Sequence, residues 1–406
     1  MAAPENRVRG IDLLRGLCII AVILNHINLR IRLNESSFGK WIGSSANDAL
    51  VWNGHYGVRV FFVISGFLIA TWSQKRWKEL QYVNLRQFYS MRFARIAPCL
   101  VGLLTILAIF DRAGVPRFVI NTQHTTLAQA LFAALTFHIN WLEARTGYLP
   151  AAWDILWSLS VEEVFYLFFP VLCAILKKPA FLIVLFSAFI AAGPFARMFY
   201  PHGLWVDYGY LCCMDGIAMG CIAAIVCARF RVSGSAKTAM YVIGATLAGL
   251  ITILEHVAAR IGFYKVGLDE TLLEIGIAML LIVMQQRFEE KQLSGAATAT
   301  ALARRNFAQS FAASPGSVLA WFGRNSYEVY LTHMFVVWPI VWISAFSHST
   351  RITAPLWFLA ATAVAGALGQ VVARYYSEPL NRRLRRKLIV SPQCITSLPS
   401  SSRQLA

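Results

Sequence analysis

Residues 11–29 read IDLLRGLCIIAVILNHINL, and the placement of this stretch decides the fold. A helix needs about 20 predominantly apolar residues to cross roughly 30 Å of hydrocarbon, and the stretch has that length. Arg15 interrupts it near one end, Asn25 and His26 near the other. A cation and a titratable imidazole both cost free energy in lipid, so each marks a functional site by default. The stretch could imitate a secretory signal. Its polar pair breaks the apolar region, however, and no small-x-small cleavage site follows, so it reads as a retained helix.

Outward from there, the chain of 406 residues is 57% hydrophobic and only 14% charged, too apolar for a soluble protein of this size. Only helices and closed barrels satisfy their backbone in lipid, and the apolar runs are helix-length rather than short alternating strands. The expected fold is therefore an all-α membrane protein with ten transmembrane helices, at about 12–30, 56–73, 95–111, 157–176, 180–199, 207–228, 238–257, 269–287, 325–346 and 355–376. Charges, prolines or polar loops bound each one. The segment 124–142 holds the run LAQALFAALTF, which is too short to span and suits an interfacial or re-entrant helix.

With these spans, more than twice as many of the 37 Lys and Arg fall on the side holding both termini as on the other. Both termini and the 74–95 loop are accordingly expected to be cytoplasmic. Counting 124–142 as a further span would invert everything after it and spoil that agreement. Positive loops account for most of the net charge of +17; no nucleic-acid-binding motif is present. Residues 1–388 read as one membrane domain, 389–406 as a flexible cytoplasmic tail, and the Ala- and Ser-rich stretch 292–316 as a solvated segment. The eight cysteines lie mostly inside spans and form no CxxC pair, which suits packing better than disulfides. No histidine pair at i, i+4 and no HExxH motif occurs, so no bound metal is expected.

At 1.5 Å per residue, His26 stands roughly 16 Å from Arg15 along one helix axis. It is a candidate catalytic base or nucleophile, or else a histidine hydrogen-bonded between helices. Arg92 and Arg95, in MRFARIAP, are three apart and share a helix face. Guanidinium forks bind phosphate oxygens in bidentate pairs, so with Arg15 they make a cationic mouth for a phosphorylated ligand, unless they only snorkel. Glu162, in WSLSVEEVFYL, falls roughly 7 Å below the outer membrane edge if its span begins near Trp157. That is close to the depth of His26. A carboxylate beside the imidazole would fix its tautomer and stabilise the imidazolium, the third role of a triad. Glu163 reads as a cap at the helix start. His333 with Tyr330 one turn away, and Ser65 beside Gly66 in FFVISGFLIA, are candidates to line the same cavity and touch substrate, or else pack helices. Asp215 is an expensive residue whose partner the sequence does not name.

Six stretches together resemble the integral-membrane acyltransferase family 3, which includes bacterial O-acetyltransferases of surface polysaccharides. They are IDLLRGLCIIAVILNH, HYGVRVFFVISGFLI, FYSMRFARIAP, WSLSVEEVFYLFFP, NSYEVYLTH and YYSEPLNRRL, spread over about 7–388. None is decisive alone; six in the right order are specific. The resemblance implies an enzyme of the bacterial inner membrane that takes an acyl group, expected to be acetyl, from cytoplasmic acyl-CoA. The acceptor would be a hydroxyl of a glycan or lipid-linked glycan on the far side. No permanently bound cofactor is implied. The family's arginine-x10-histidine pair falls on Arg15 and His26, its RxxR motif on Arg92 and Arg95. Two departures stand out. The family often has an acidic residue at Arg59, and many members carry an appended extracytoplasmic hydrolase-like domain, so the membrane domain here is expected to act alone or with a separate partner. A transporter of an anionic solute or glycan, and an acyltransferase for a small hydroxylated metabolite, are the competing readings.

Overall fold

A few helices begin where the sequence supplies a side-chain cap. Asn84 accepts a hydrogen bond from the Gln87 N–H at 2.9 Å, and Thr126 and Gln129 close a reciprocal capping box, each satisfying N–H groups that the first helical turn leaves without a partner. The computed structural model describes residues 7–121, 123–199, 203–254, 262, 267–298, 315–347 and 352–389. The expected tail beyond 389 and the 299–314 part of the Ala- and Ser-rich stretch lie outside the described residues. In chain order the principal helices are α1 (Arg9–Asn28), α2 (Tyr56–Trp77), α3 (Leu85–Arg112), α4 (Leu127–Leu135), α5 (Ile139–Thr146), α6 (Leu156–Leu176), α7 (Pro179–Phe199) and α8 (Tyr210–Arg229). They continue with α9 (Gly234–Ile253), α10 (Leu268–Thr298), α11 (Pro315–Arg324), α12 (Ser326–Thr332), α13 (Met334–Phe346), α14 (Ala354–Val372) and α15 (Glu378–Ile389). No strand occurs among the described residues.

Eight of the described helices, or continuous helical runs, are long and apolar enough to cross a membrane, and α12 with α13, bent by 49° at a short break, makes a ninth candidate. The protein is thus an all-α, multi-pass membrane protein. The remaining expected span, 269–287, falls within α10, a helix of 31 residues packed on α8 and α9. Two differences from the expected spans bear on the site. The segment 325–346 is not one straight helix: it breaks at His333, whose Nδ1 lies 2.6 Å from the Tyr330 carbonyl oxygen. A side chain inserted among the ladder's acceptors is a recognised cause of a sharp bend. The segment 124–142 forms no span but the short helices α4 and α5, turned at Phe137, which has a positive φ of 57°.

Glycines set the closest crossings. A Cβ on Gly66 of α2 would lie 1.9 Å from the Ile217 carbonyl oxygen of α8, and one on Gly220 of α8 would lie 2.0 Å from that of Val63 on α2. The same reciprocal arrangement joins α1 to α11, where Gly16 meets the Leu319 carbonyl at 1.9 Å and Gly323 meets that of Asp12 at 1.8 Å. Small residues permit such backbone contact, which is how membrane helices gain packing without a hydrophobic drive between them. Two buried clusters result, one built on α2, α6 and α8, the other on α1, α3, α13 and α14. Phe61, Trp157 and Tyr330 pack against both, and the cavities open along this seam. The N-terminal Arg7 and Arg385 of α15 line one cavity, so the first and last described segments meet at one end of the bundle, here termed the basic face.

Candidate active site

The cavity at the basic face has a volume of about 560 Å³ and is lined by seven arginines: Arg7, Arg15, Arg92, Arg95, Arg324, Arg382 and Arg385. The α1–α11 crossing fixes Arg15, because Gly323 brings the start of α12 against α1. Arg15 donates through Nε and Nη2 to Ser326 Oγ at 3.1 and 2.8 Å, a neutral partner that leaves its charge available. Arg92 and Arg95 sit about two and three turns inside α3 rather than at its entrance. Arg92 lies 3.7 Å from Glu163 and over the Tyr166 ring at 3.6 Å from its centroid, a contact that orients a guanidinium without neutralising it. Arg95 pairs with Glu328 at 3.2 Å, and Glu328 also accepts from Ser377 Oγ at 2.8 Å. Glu162, Glu163 and Glu378 also line the wall, and Arg7 and Arg382 pair with Asp12 and Glu378, so the wall is cationic on balance, with the charge of Arg15 still available to an anion.

Glu162 belongs to this cavity and not to that of His26. The helical run containing α6 begins at Ala151 rather than near Trp157, so Glu162 lies eleven residues, or roughly 16 Å, down it. His26 is in the last turn of α1. The depths that seemed to match differ by the error in where each helix starts and ends. Glu162 instead accepts from the Tyr166 hydroxyl at 3.5 Å and shares the basic wall with Ser65. Glu163 is no cap either; it stands inside α6, buried against Arg92.

A second cavity, of about 850 Å³, opens toward the opposite face. His26 lines it together with Asn25, Arg30, Asp154, Asp207 and several aromatic residues, among them Trp52, Trp157, Tyr208 and Trp338. Trp157 and Tyr208 stack at 4.3 Å between centroids, and Arg30 lies 4.2 Å over the Trp338 ring. Outside the spans, Tyr148 on this rim has its hydroxyl pushed up in pKa, by burial first and then by Asp154 and Asp207. Aromatic faces beside carboxylates and amides suit a polyhydroxylated ligand, whose C–H faces stack and whose hydroxyls hydrogen-bond. Val58 and Tyr330 line both cavities, so the two meet there. The Tyr330 hydroxyl lies 2.8 Å from Ser158 Oγ and donates to the Ile155 carbonyl at 3.0 Å.

Of the sequence candidates, Arg15, Arg92, Arg95, Ser65 and Glu162 come together in the basic cavity, His26 stands in the other, and Tyr330 joins them. His333 lines neither. It is fully buried, its ring centroid 5.0 Å from that of His26, because its Nδ1 is held to its own helical turn. Asp215 finds its partner in Arg197 at 2.8 Å. Arg59 pairs with Glu270 at 2.9 Å, so its charge is matched within the cavity wall. Sequence reasoning passed over Ser326 and Glu328, although both lie in NSYEVYLTH, and over Arg7, Arg324, Arg382 and Arg385, whose convergence depends on how distant helices cross.

Comparison with known proteins adds an independent line. Residues 8–374 match the family described as an acyltransferase domain. A peptidoglycan O-acetyltransferase, OatA, of Listeria monocytogenes is 30% identical over 175 residues, 42% of this chain and 25% of that protein. The O-acetyltransferase OatA of Staphylococcus aureus is 26% identical over 168 residues, 41% of this chain and 25% of its own. A putative O-acetyltransferase of Staphylococcus aureus is 27% identical over 169 residues, 41% of this chain and 24% of its own. The aligned region thus spans about a quarter of these curated relatives. No solved structure matches the chain.

Proposed function

Because this chain belongs to the membrane acyltransferase-domain family, we propose that it is an O-acyltransferase of the bacterial plasma membrane, moving an acyl group from acyl-CoA at the basic face to a hydroxyl of a glycan or lipid-linked glycan at the opposite face. The observation that carries this reading is the meeting of a seven-arginine cavity and a histidine cavity at Val58 and Tyr330. An anionic carrier and a hydroxylated acceptor can then approach one point from two sides. CoA's phosphates suit Arg15, Arg92 and Arg95, since planar donors bind phosphate bidentately. The extended pantetheine arm would carry the thioester past Tyr330 toward His26, roughly 16 Å from Arg15 along α1. The arginine-rich end is the cytoplasmic one by the positive-inside rule. The printed names of the relatives favour acetyl as the acyl group and a cell-wall glycan as acceptor.

In the reaction His26 Nε2 takes the proton of the acceptor hydroxyl, the oxygen attacks the thioester carbonyl, and the C–S bond breaks. The proton passes to the departing thiolate, so CoA leaves as its thiol. General base catalysis of this kind contributes about 10²–10⁴-fold. Alternatively Nε2 itself attacks first and holds the acyl group before the hydroxyl receives it; both routes need the same bare nitrogen. Purified protein in detergent or vesicles, given radiolabelled acetyl-CoA and muropeptides, should release CoA thiol and label the glycan in equal amounts. Solute movement across vesicles with no acetyl-CoA consumed would replace this reading with that of a transporter.

A further inference from the structure

We propose that His333 is a positioning residue for His26, setting its tautomer and aim through a ring-to-ring hydrogen bond. This inference rests on the acyltransferase reading for its purpose, but its geometry stands apart from it. A carbonyl oxygen only accepts, so the 2.6 Å contact between His333 Nδ1 and the Tyr330 carbonyl fixes the proton of His333 on Nδ1. Nε2 is left as a bare acceptor. That Nε2 is buried without a hydrogen-bond partner, and so is Nδ1 of His26. The two rings lie 5.0 Å apart between centroids, tilted by 49°, a separation that accommodates an N–H···N bond of about 3 Å once the rings turn toward one another.

Two unpartnered buried nitrogens on adjacent rings are each costly, and the bond between them satisfies both. Its direction is dictated: His333 Nε2 can only accept, so His26 must donate from Nδ1. That leaves Nε2 of His26 bare on the side of the cavity it lines. The function expected of Glu162 in orienting the imidazole therefore falls to a neutral histidine. The bend between α12 and α13 is what delivers it, since the break at His333 carries its ring out of the helix line.

His333→Gln and His333→Asn separate positioning from helix packing. A glutamine amide reaches about as far as Nε2 and offers an acceptor to His26; an asparagine reaches only to the Nδ1 position and can serve only the Tyr330 carbonyl. We expect His333→Gln to keep kcat within about tenfold of the native enzyme and His333→Asn to lose on the order of 10²-fold or more, with KM for acetyl-CoA and muropeptide nearly unchanged in both. The companion measurement is the rate at which diethyl pyrocarbonate modifies His26, read by mass spectrometry. It should be fast in the native protein and His333→Gln, and slow in His333→Asn. Asparagine matching or exceeding glutamine, or both variants behaving alike, would overturn the assignment. If the native protein transfers no acyl group yet the modification rates keep this order, the acyltransferase reading fails while the histidine pair stands.

Discussion

Removing the imidazole of His26 should separate chemistry from donor binding. His26→Ala is expected to lose at least about 10²-fold in turnover while acetyl-CoA still binds, because Arg15 is roughly 16 Å away on the same helix; calorimetric titration beside the transfer assay checks both halves. Glu162→Gln should alter acetyl-CoA affinity and should do so equally in a His26→Ala background, since Glu162 lies in the basic cavity. Dependence of its effect on His26 would restore the pairing that the helix ends deny. Arg92→Ala should raise KM for the donor more than it lowers kcat, as expected for a contact made equally in ground and transition states. Arg197 serves the fold instead: 3% exposed, it pairs with both Asp215 and Glu270. Arg197→Met strands Asp215, while Glu270 keeps Arg59, and should cost about 3–5 kcal/mol, read as lower thermal stability in detergent.

At the scale of elements, the reciprocal glycine contacts make a sharp test. Gly323→Ala would put a methyl 1.8 Å from the Asp12 carbonyl oxygen and should drive α11 off α1, with loss of folded yield and of the Arg15–Ser326 contact. Gly249→Ala, in α9, meets nothing within 4 Å and should be neutral or slightly stabilising, since alanine exceeds glycine in helix propensity by about 1 kcal/mol; yield and thermal unfolding compare the two. The same elements explain what the sequence makes legible. Apolar length gives the spans, and the short run at 124–142 gives a non-spanning pair of helices. A hydropathy pattern carries no mark for the bend at His333, which comes from one side-chain bond. Nor does it fix where a helix starts to within two turns, and that is why His26 and Glu162 seemed level. The basic cavity is legible only in part: Arg15, Arg92 and Arg95 follow motif spacing, whereas Arg7, Arg324, Arg382 and Arg385 join them through tertiary crossings.

For the whole molecule, orientation is the first test. Tyr82, 65% exposed near the basic face, and Trp41, 81% exposed beyond the other end of α1, are suitable sites for single cysteines. In a Cys394→Ser background, Trp41→Cys should react with an impermeant maleimide in intact cells and Tyr82→Cys only after lysis, the described native cysteines all being buried. The reverse pattern would put the arginines outside.

The contact of two vestibules at Val58 and Tyr330 has an electrical meaning. Where solvent reaches in from both faces, an energised membrane drops its voltage over the thin layer between the water columns rather than over the full bilayer. Each elementary charge crossing that layer feels about 2.3 kcal/mol per 100 mV, so the valine and tyrosine must act as an insulator as well as a passage. Native protein in vesicles should hold a proton gradient. Tyr330→Ala, which thins the barrier at the shared wall, should dissipate it faster, as followed by a pH-sensitive dye. The arm of a carrier threading this layer would then double as a plug, conductance falling while the donor is bound.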